Sequence, residues 1–205
     1  MKRNLAIVWR ELYKDIRSKT VLIMYIFLII YNILSITRNN DINKSLYNMM
    51  SSTFLISIFY SVISYENIEN LLSLPRSIYD FCIAKTSYIM LKSIAAGIIN
   101  TIFIAIFNNE LLVVNFINYM YLFLIISIFI YTITFFIQTI SLLLKKKLKF
   151  VVVIISSTII YILDLLIFEV GIKFISIVII SLSLYYISYI ILRNMDKEKL
   201  IKRSM

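Results

Sequence analysis

The feature that most constrains this chain is a set of six long stretches that contain no Asp, Glu, Lys or Arg, apart from Asp164 in the fifth stretch. A helix needs roughly 20 apolar residues to cross the hydrocarbon core of a bilayer. The stretches are continuously apolar, whereas the strands of a membrane barrel alternate. Because backbone groups inside a bilayer must pair internally, helices are expected. The sequence therefore predicts an all-α, polytopic membrane protein.

Six transmembrane helices are predicted from these stretches. The fourth stretch, residues 111–144, would form a helix of about 50 Å, which is too long for one span. We therefore interpret residues 111–118, with Asn115 and Asn118, as an interfacial lead-in to the fourth span. The predicted spans are residues 20–37, 46–65, 86–107, 119–144, 150–168 and 174–192. The third span starts before its charge-free stretch, because the side chain of Lys92 can snorkel to the interface.

The basic residues indicate how the spans are oriented. With six spans both termini lie on one side, and only Arg38, Lys44 and Lys173 of the 21 basic residues then fall on the other side. Basic loops favour the cytoplasm, so both termini and the 193–205 tail are predicted to be cytoplasmic. The basic residues that give the net charge of +10 are explained by their role in fixing the orientation of the spans in the membrane, and no nucleic-acid partner is expected. The abundance of Ile, Asn, Lys and Tyr is typical of AT-rich genomes, which predicts a bacterial cytoplasmic membrane.

Several kinds of chemistry are excluded by residues that the sequence lacks. It has no histidine and one cysteine, Cys82, so neither a disulfide within the chain nor a Cys/His metal cluster is expected. No phosphate-binding Gly-x-x-x-x-Gly-Lys-[Ser/Thr] motif is present. We predict no catalytic, metal or cofactor-binding residues in this chain, and therefore no enzyme.

Residues 2–19 have the pattern of an amphipathic helix. Apolar residues recur at helical spacing, and the basic residues lie on other faces. Such a helix favours the membrane interface, with its tryptophan at the headgroups; the alternative is a solvated helix packed on a partner. The predicted interfacial anchor residues are Trp9, Arg10, Lys14 and Arg17.

The segment at 66–85, between spans two and three, is too apolar for a disordered loop. Apolar residues before Pro75 have helical spacing, and Pro75 should end that helix. Ser77 followed by Asp80 is typical of a new helix start. Two short helices are thus predicted to meet at Pro75 on the cytoplasmic side. A plain amphipathic connector is the alternative.

Here the sequence resembles the membrane subunits of type 2 ABC transporters, the ABC-2 exporters. The loop of that family has a pair of glutamates, Leu-Leu, a proline, and a lysine where span three starts. This chain has those residues in the same order, without the Gly-Thr that often separates the two acidic positions, and its residues 10–19 look like the connecting helix of the family. The residues that carry the resemblance in the loop are Glu66, Glu69, Leu71, Leu72, Pro75 and Lys85.

The resemblance implies a coupling role for the 66–85 segment, which would seat on a separate ABC ATPase subunit. It also implies ATP and Mg on that partner, a second copy of this chain or a paralogous permease, and export; we predict an amphipathic peptide or toxin as the substrate. The resemblance assigns ATPase coupling to Glu66, Glu69, Leu71, Leu72, Pro75, Arg76 and Asp80.

Three polar residues inside the spans are candidates for a translocation path or gate: Asn100, Gln138 and Asp164. Charges inside a bilayer are costly and usually functional, but we favour the interpretation that Asp164 marks the end of a short span, where a charge costs less. Buried amides more often join helices than bind substrate.

Two other functional classes are alternatives to the permease interpretation. An autonomous channel or ion-coupled secondary transporter would need several intramembrane charges, and Asp164 is the one that qualifies. A membrane-embedded enzyme would have to rely on carboxylates, and Asp164 and Glu169 do not form a clear pair.

Overall fold

The computed structural model describes residues 8–10, 12, 13, 15, 17–38, 42–63, 78–107, 109–143, 149–168 and 174–195, and these are helical almost throughout, without strands. The described helices are α1 (Lys19–Arg38), α2 (Ile42–Ile63), α3 (Ile78–Phe107), α4 (Asn109–Leu143), α5 (Lys149–Phe168) and α6 (Phe174–Arg193). The predicted all-α class is confirmed.

Three of the described helices are long and apolar enough to cross a membrane: Ile78–Phe107, Leu112–Leu143 and Ser176–Arg193. This indicates a membrane protein, whereas the count of six spans stays a prediction. Large apolar side chains face outwards, including Val114 and Ile117, which are 81% and 82% exposed. Serines and threonines such as Ser45 and Thr134 are buried instead. Lipid tolerates the apolar exterior that water would oppose.

α3 and α4 are longer than the spans predicted inside them. α3 begins at Ile78 rather than at 86, and α4 begins at Asn109 rather than at 119. Their 30 and 35 residues correspond to about 45 and 52 Å. No Pro or Gly occurs between 109 and 143 to interrupt α4, so its helix continues through the predicted lead-in.

The helix predicted to follow Pro75 is not short. It begins at Ile78, has Asp80 in its first turn, and continues without a break to Phe107. Lys85 and Lys92 do not stop it, because a charged residue sets a limit to a membrane span but not to the backbone hydrogen bonds of a helix.

α4 is the central element of the bundle, and it packs against α2, α3, α5 and α6. α2 packs in addition against α1 and α5. The largest fully buried side chains come mainly from α2 and α4, among them Phe54, Tyr119 and Phe135. The core therefore lies where α2, α3 and α4 meet.

Gly97 of α3 lies at a close contact with α2 and α4. A Cβ atom at this position would lie 2.5 Å from Cε2 of Phe123 in α4 and 3.1 Å from the sulfur of Met50 in α2. Ser93 and Ala96, on the same face of α3, are also buried. Small residues such as these allow membrane helices to approach closely.

Candidate functional site

Asp80 is the one predicted coupling residue within the described part of the chain. It is exposed, in the first turn of α3. α2, which ends at Ile63, and α3, which starts at Ile78, pack against each other. The segment between them thus links two neighbouring helices. The other predicted coupling residues lie outside the described residues: Glu66, Glu69, Leu71, Leu72, Pro75 and Arg76.

The predicted interfacial anchors are exposed where they are described. Trp9 is 62% exposed, and Arg10 and Arg17 are exposed with it. The guanidinium carbon of Arg17 lies 4.3 Å from the ring centroid of Tyr13. Lys14 lies outside the described residues. An exposed aromatic beside a guanidinium is compatible with an interfacial helix.

Asn100 is fully buried and joins three helices. Its Oδ1 accepts a hydrogen bond from the hydroxyl of Ser45 in α2 at 3.1 Å, and its Nδ2 donates to the hydroxyl oxygen of Tyr119 in α4 at 3.2 Å. The Tyr119 hydroxyl also pairs with Thr101 at 2.9 Å. Residues whose polar groups satisfy one another in this way hold helices together, which favours a packing role for Asn100.

Gln138 is also fully buried, but in another part of the bundle. It follows Tyr119, which contacts Asn100, by 19 residues in the same helix, and that separation is about 28 Å along the axis. The carbonyl oxygen of Gln138 accepts a hydrogen bond from Ser141 at 2.8 Å. The structure therefore does not bring Asn100 and Gln138 into one site.

Asp164 belongs to α5, near the end of Lys149–Phe168. Its side chain lies outside the described part of the structure. The role of Asp164, as a pathway residue or as a span boundary, therefore stays a prediction.

The three threonines of α4 each donate a hydrogen bond to a carbonyl oxygen of their own helix. Thr132, Thr134 and Thr139 donate to carbonyl oxygens three or four residues earlier, at 3.0, 2.5 and 2.8 Å. A hydroxyl that donates to its own helix already has a hydrogen-bond acceptor and needs none from a neighbouring helix or a substrate. These residues therefore do not form a polar lining by themselves.

Lys85, which directly precedes the predicted third span, is buried. It is only 4% exposed, and its ammonium lies 5.3 Å from the ring centroid of Phe81, one turn earlier in α3. A lysine side chain in a helix points towards the N-terminus, so the charge is directed to the end where α3 begins. The burial of the Lys85 side chain could not be predicted from its residue type.

An aromatic cluster surrounds the same end of α3. The hydroxyls of Tyr79 in α3 and Tyr185 in α6 are 3.0 Å apart. Phe135 of α4 meets Tyr79 edge to face at 5.9 Å and stacks on Tyr185 at 5.2 Å. The start of α3 therefore packs against α4 and α6. Contacts between residues this far apart in sequence have no local signature.

Two buried hydroxyls of α3, those of Thr86 and Ser93, have no hydrogen-bond partner among the described residues. They are seven residues apart, and therefore on the same face of the helix. Neither has the i−4 bond seen for the threonines of α4. We find no chemical role for them in the described structure.

No group of three His, Cys, Asp or Glu side chains able to hold a metal ion occurs within the described residues.

Comparison with protein-family models finds no match. Comparisons with curated proteins and with solved structures find none either. The resemblance to ABC-2 permeases therefore stays a prediction, based on the residues of the 66–85 segment and on the order of the helices.

Proposed function

We propose that this chain is the membrane permease subunit of an ATP-driven ABC exporter in a bacterial cytoplasmic membrane. It crosses the membrane six times with both termini in the cytoplasm, and forms half of a translocation path with a second copy or a related permease. α1, α2 and α5 contain 20 to 22 residues each, or about 30 Å, which suits the bilayer core. They would complete the set of six spans.

The observation that carries this proposal is the pattern of residues between α2 and α3. Two glutamates, Leu71-Leu72 and Pro75 precede the exposed Asp80 at the start of α3. The charged residues suit polar contacts with an ATPase, and the leucines suit insertion into a groove. Because Tyr79 ties the start of α3 to Phe135 and Tyr185, motion of the segment would reach the bundle core directly.

Co-purification tests the proposal. The chain is expressed with the ATPase encoded beside it, and the ratio of ATPase to permease is measured after purification in detergent. We expect the ATPase to co-purify, and to be lost with Glu69→Lys or with deletion of residues 71–76. Lys44→Glu, a charge reversal on the proposed outer side, should retain it. A wild-type chain without bound ATPase, or binding that survives both changes, overturns the proposal.

The second candidate is an autonomous channel or ion-coupled secondary transporter. One observation favours it: Lys85 is nearly fully buried in a helix able to cross the membrane, and charges inside membranes commonly mark ion pathways. Under this alternative, the chain alone in liposomes passes ions without ATP, and Lys85→Met reduces the flux. Absence of flux from the chain alone excludes this candidate.

A further inference from the structure

Asp15, in the N-terminal segment, is paired with residues of α3. Its Oδ2 lies 2.5 Å from the ammonium nitrogen of Lys92, and the hydroxyl of Tyr88 donates to the same oxygen at 2.6 Å. Asp15 precedes Lys92 by 77 residues. The contact is therefore tertiary, and no local helix geometry accounts for it.

The pair is largely enclosed. The side chains of Lys92 and Asp15 are 16% and 21% exposed. The ring centroids of Tyr25 in α1 and Tyr88 in α3 each lie 5.1 Å from the ammonium of Lys92. An enclosed cation is stabilised by a carboxylate and by the faces of aromatic rings. Three parts of the chain thus converge on one charge.

The position of Lys92 explains why it needs a partner. It lies midway along α3, one of the helices long and apolar enough to cross a membrane. A lone lysine at such a position is expensive, and the charge of Asp15 neutralises it. The N-terminal segment approaches α3 as a separate element, because Ser18 interrupts the helix before α1 begins at Lys19.

We propose that Asp15, Lys92 and Tyr88 form a charge latch that docks the N-terminal segment, of which residues 8–10, 12, 13, 15 and 17 are described, onto α3. The latch makes the segment and α3 a single moving unit. An exposed ion pair contributes little to stability, but removal of one partner from an enclosed pair leaves a charge without compensation. Neutralising either residue therefore releases the segment.

The latch has a consequence for coupling, and this part rests on the proposed function. The segment predicted to seat on the ATPase, residues 66–85, continues into the first turns of α3, which begins at Ile78. A displacement of α3 would carry the N-terminal segment with it, and the exposed Trp9 would move relative to the bilayer surface. The contact itself is a property of the single chain.

Spin-label distances test the latch in the chain alone, in nanodiscs and without an ATPase. Labels are placed at Leu12→Cys and Ile102→Cys, both exposed sites, with Cys82→Ser as background. We expect one narrow distance distribution. Asp15→Lys and Lys92→Asp should each broaden it by about twofold or more, because undocked positions become populated. The double swap should restore the narrow distribution.

Lys19→Glu serves as the matched control, because Lys19 is exposed and adjacent to the same segment; it should leave the distribution narrow. If Lys92→Asp does not insert, Asp15→Lys and Asp15→Asn decide the question, since they change a residue outside α1–α6. An unchanged width in the Asp15 variants overturns the latch. Since no ATPase is present, the result is independent of whether an ATPase co-purifies.

Discussion

At the scale of single residues, buried polar groups differ in whether they are paired. Asn100 has partners on α2 and α4, whereas the hydroxyls of Thr86 and Ser93 have none among the described residues. A paired group is costly to remove, and an unpaired group is costly to keep. The two kinds of residue should therefore respond in opposite ways to apolar substitution.

Asn100→Leu is expected to destabilise the bundle by about 1–2 kcal/mol, because Ser45 loses its acceptor and Tyr119 loses a donor. The measurement is the unfolding free energy in mixed micelles titrated with SDS. Asn118→Leu, at an exposed position of α4, is the control and should change little. If Asn100→Leu leaves the stability unchanged but alters transport, Asn100 belongs to the pathway and not to the packing.

Thr86→Val should stabilise the protein by up to about 1 kcal/mol, because it replaces a buried hydroxyl without a partner by a methyl group of similar shape. Thr134→Val is the matched comparison. It removes a hydroxyl that donates to Ile130 and should be neutral or slightly destabilising. The same SDS titration measures both. A loss of stability in Thr86→Val would show that its hydroxyl has a partner after all.

At the scale of helices, the sequence was most informative about where helices exist. Apolar stretches without charge predicted six helices, and Asp80 indicated the start of α3. The ends of the helices are harder to predict from the sequence. The predicted spans begin just after Lys85 and Asn118, whereas α3 and α4 contain both residues. Hydropathy measures burial in lipid, and helix length depends on hydrogen bonds.

The packing of helices shows the same division. Gly97 and its small neighbours are of the residue types that allow helices to approach closely. Their partners Met50 and Phe123 were not predictable, nor was the pairing of Asp15 with Lys92. Long-range contacts depend on how helices are arranged, and one sequence contains no direct signal for that arrangement. For the same reason, the sequence did not predict that Asn100 and Gln138 lie in separate parts of the bundle.

Gly97→Val tests the α2–α3–α4 contact. Even a Cβ atom would approach Phe123 to 2.5 Å, so we expect a loss of about 1–3 kcal/mol from overpacking. Ala95→Val, at an exposed position of the same helix, should be nearly neutral. Stability is compared by thermal unfolding in detergent. Equal midpoints for the two variants would contradict the close packing at Gly97.

At the scale of the whole molecule, the proposed function makes this bundle one half of the membrane domain of an exporter. Six spans form one half of a usual exporter, so two permease copies should be present in the assembled complex. Native mass spectrometry of that complex should show twice the permease mass of 24.2 kDa, or one copy with a related permease. A complex that contains the ATPase and a single permease would contradict the proposal.

The proposed function depends most directly on which side of the membrane the 66–85 segment lies. Single cysteines in the Cys82→Ser background, labelled with an impermeant maleimide in intact cells, measure this side. We predict that Asn40→Cys is labelled in intact cells, while Ser73→Cys and Ser204→Cys are labelled only after the membrane is permeabilised. Labelling of Ser73→Cys in intact cells would place the segment outside the cell, beyond the reach of any cytoplasmic ATPase, and would contradict the account.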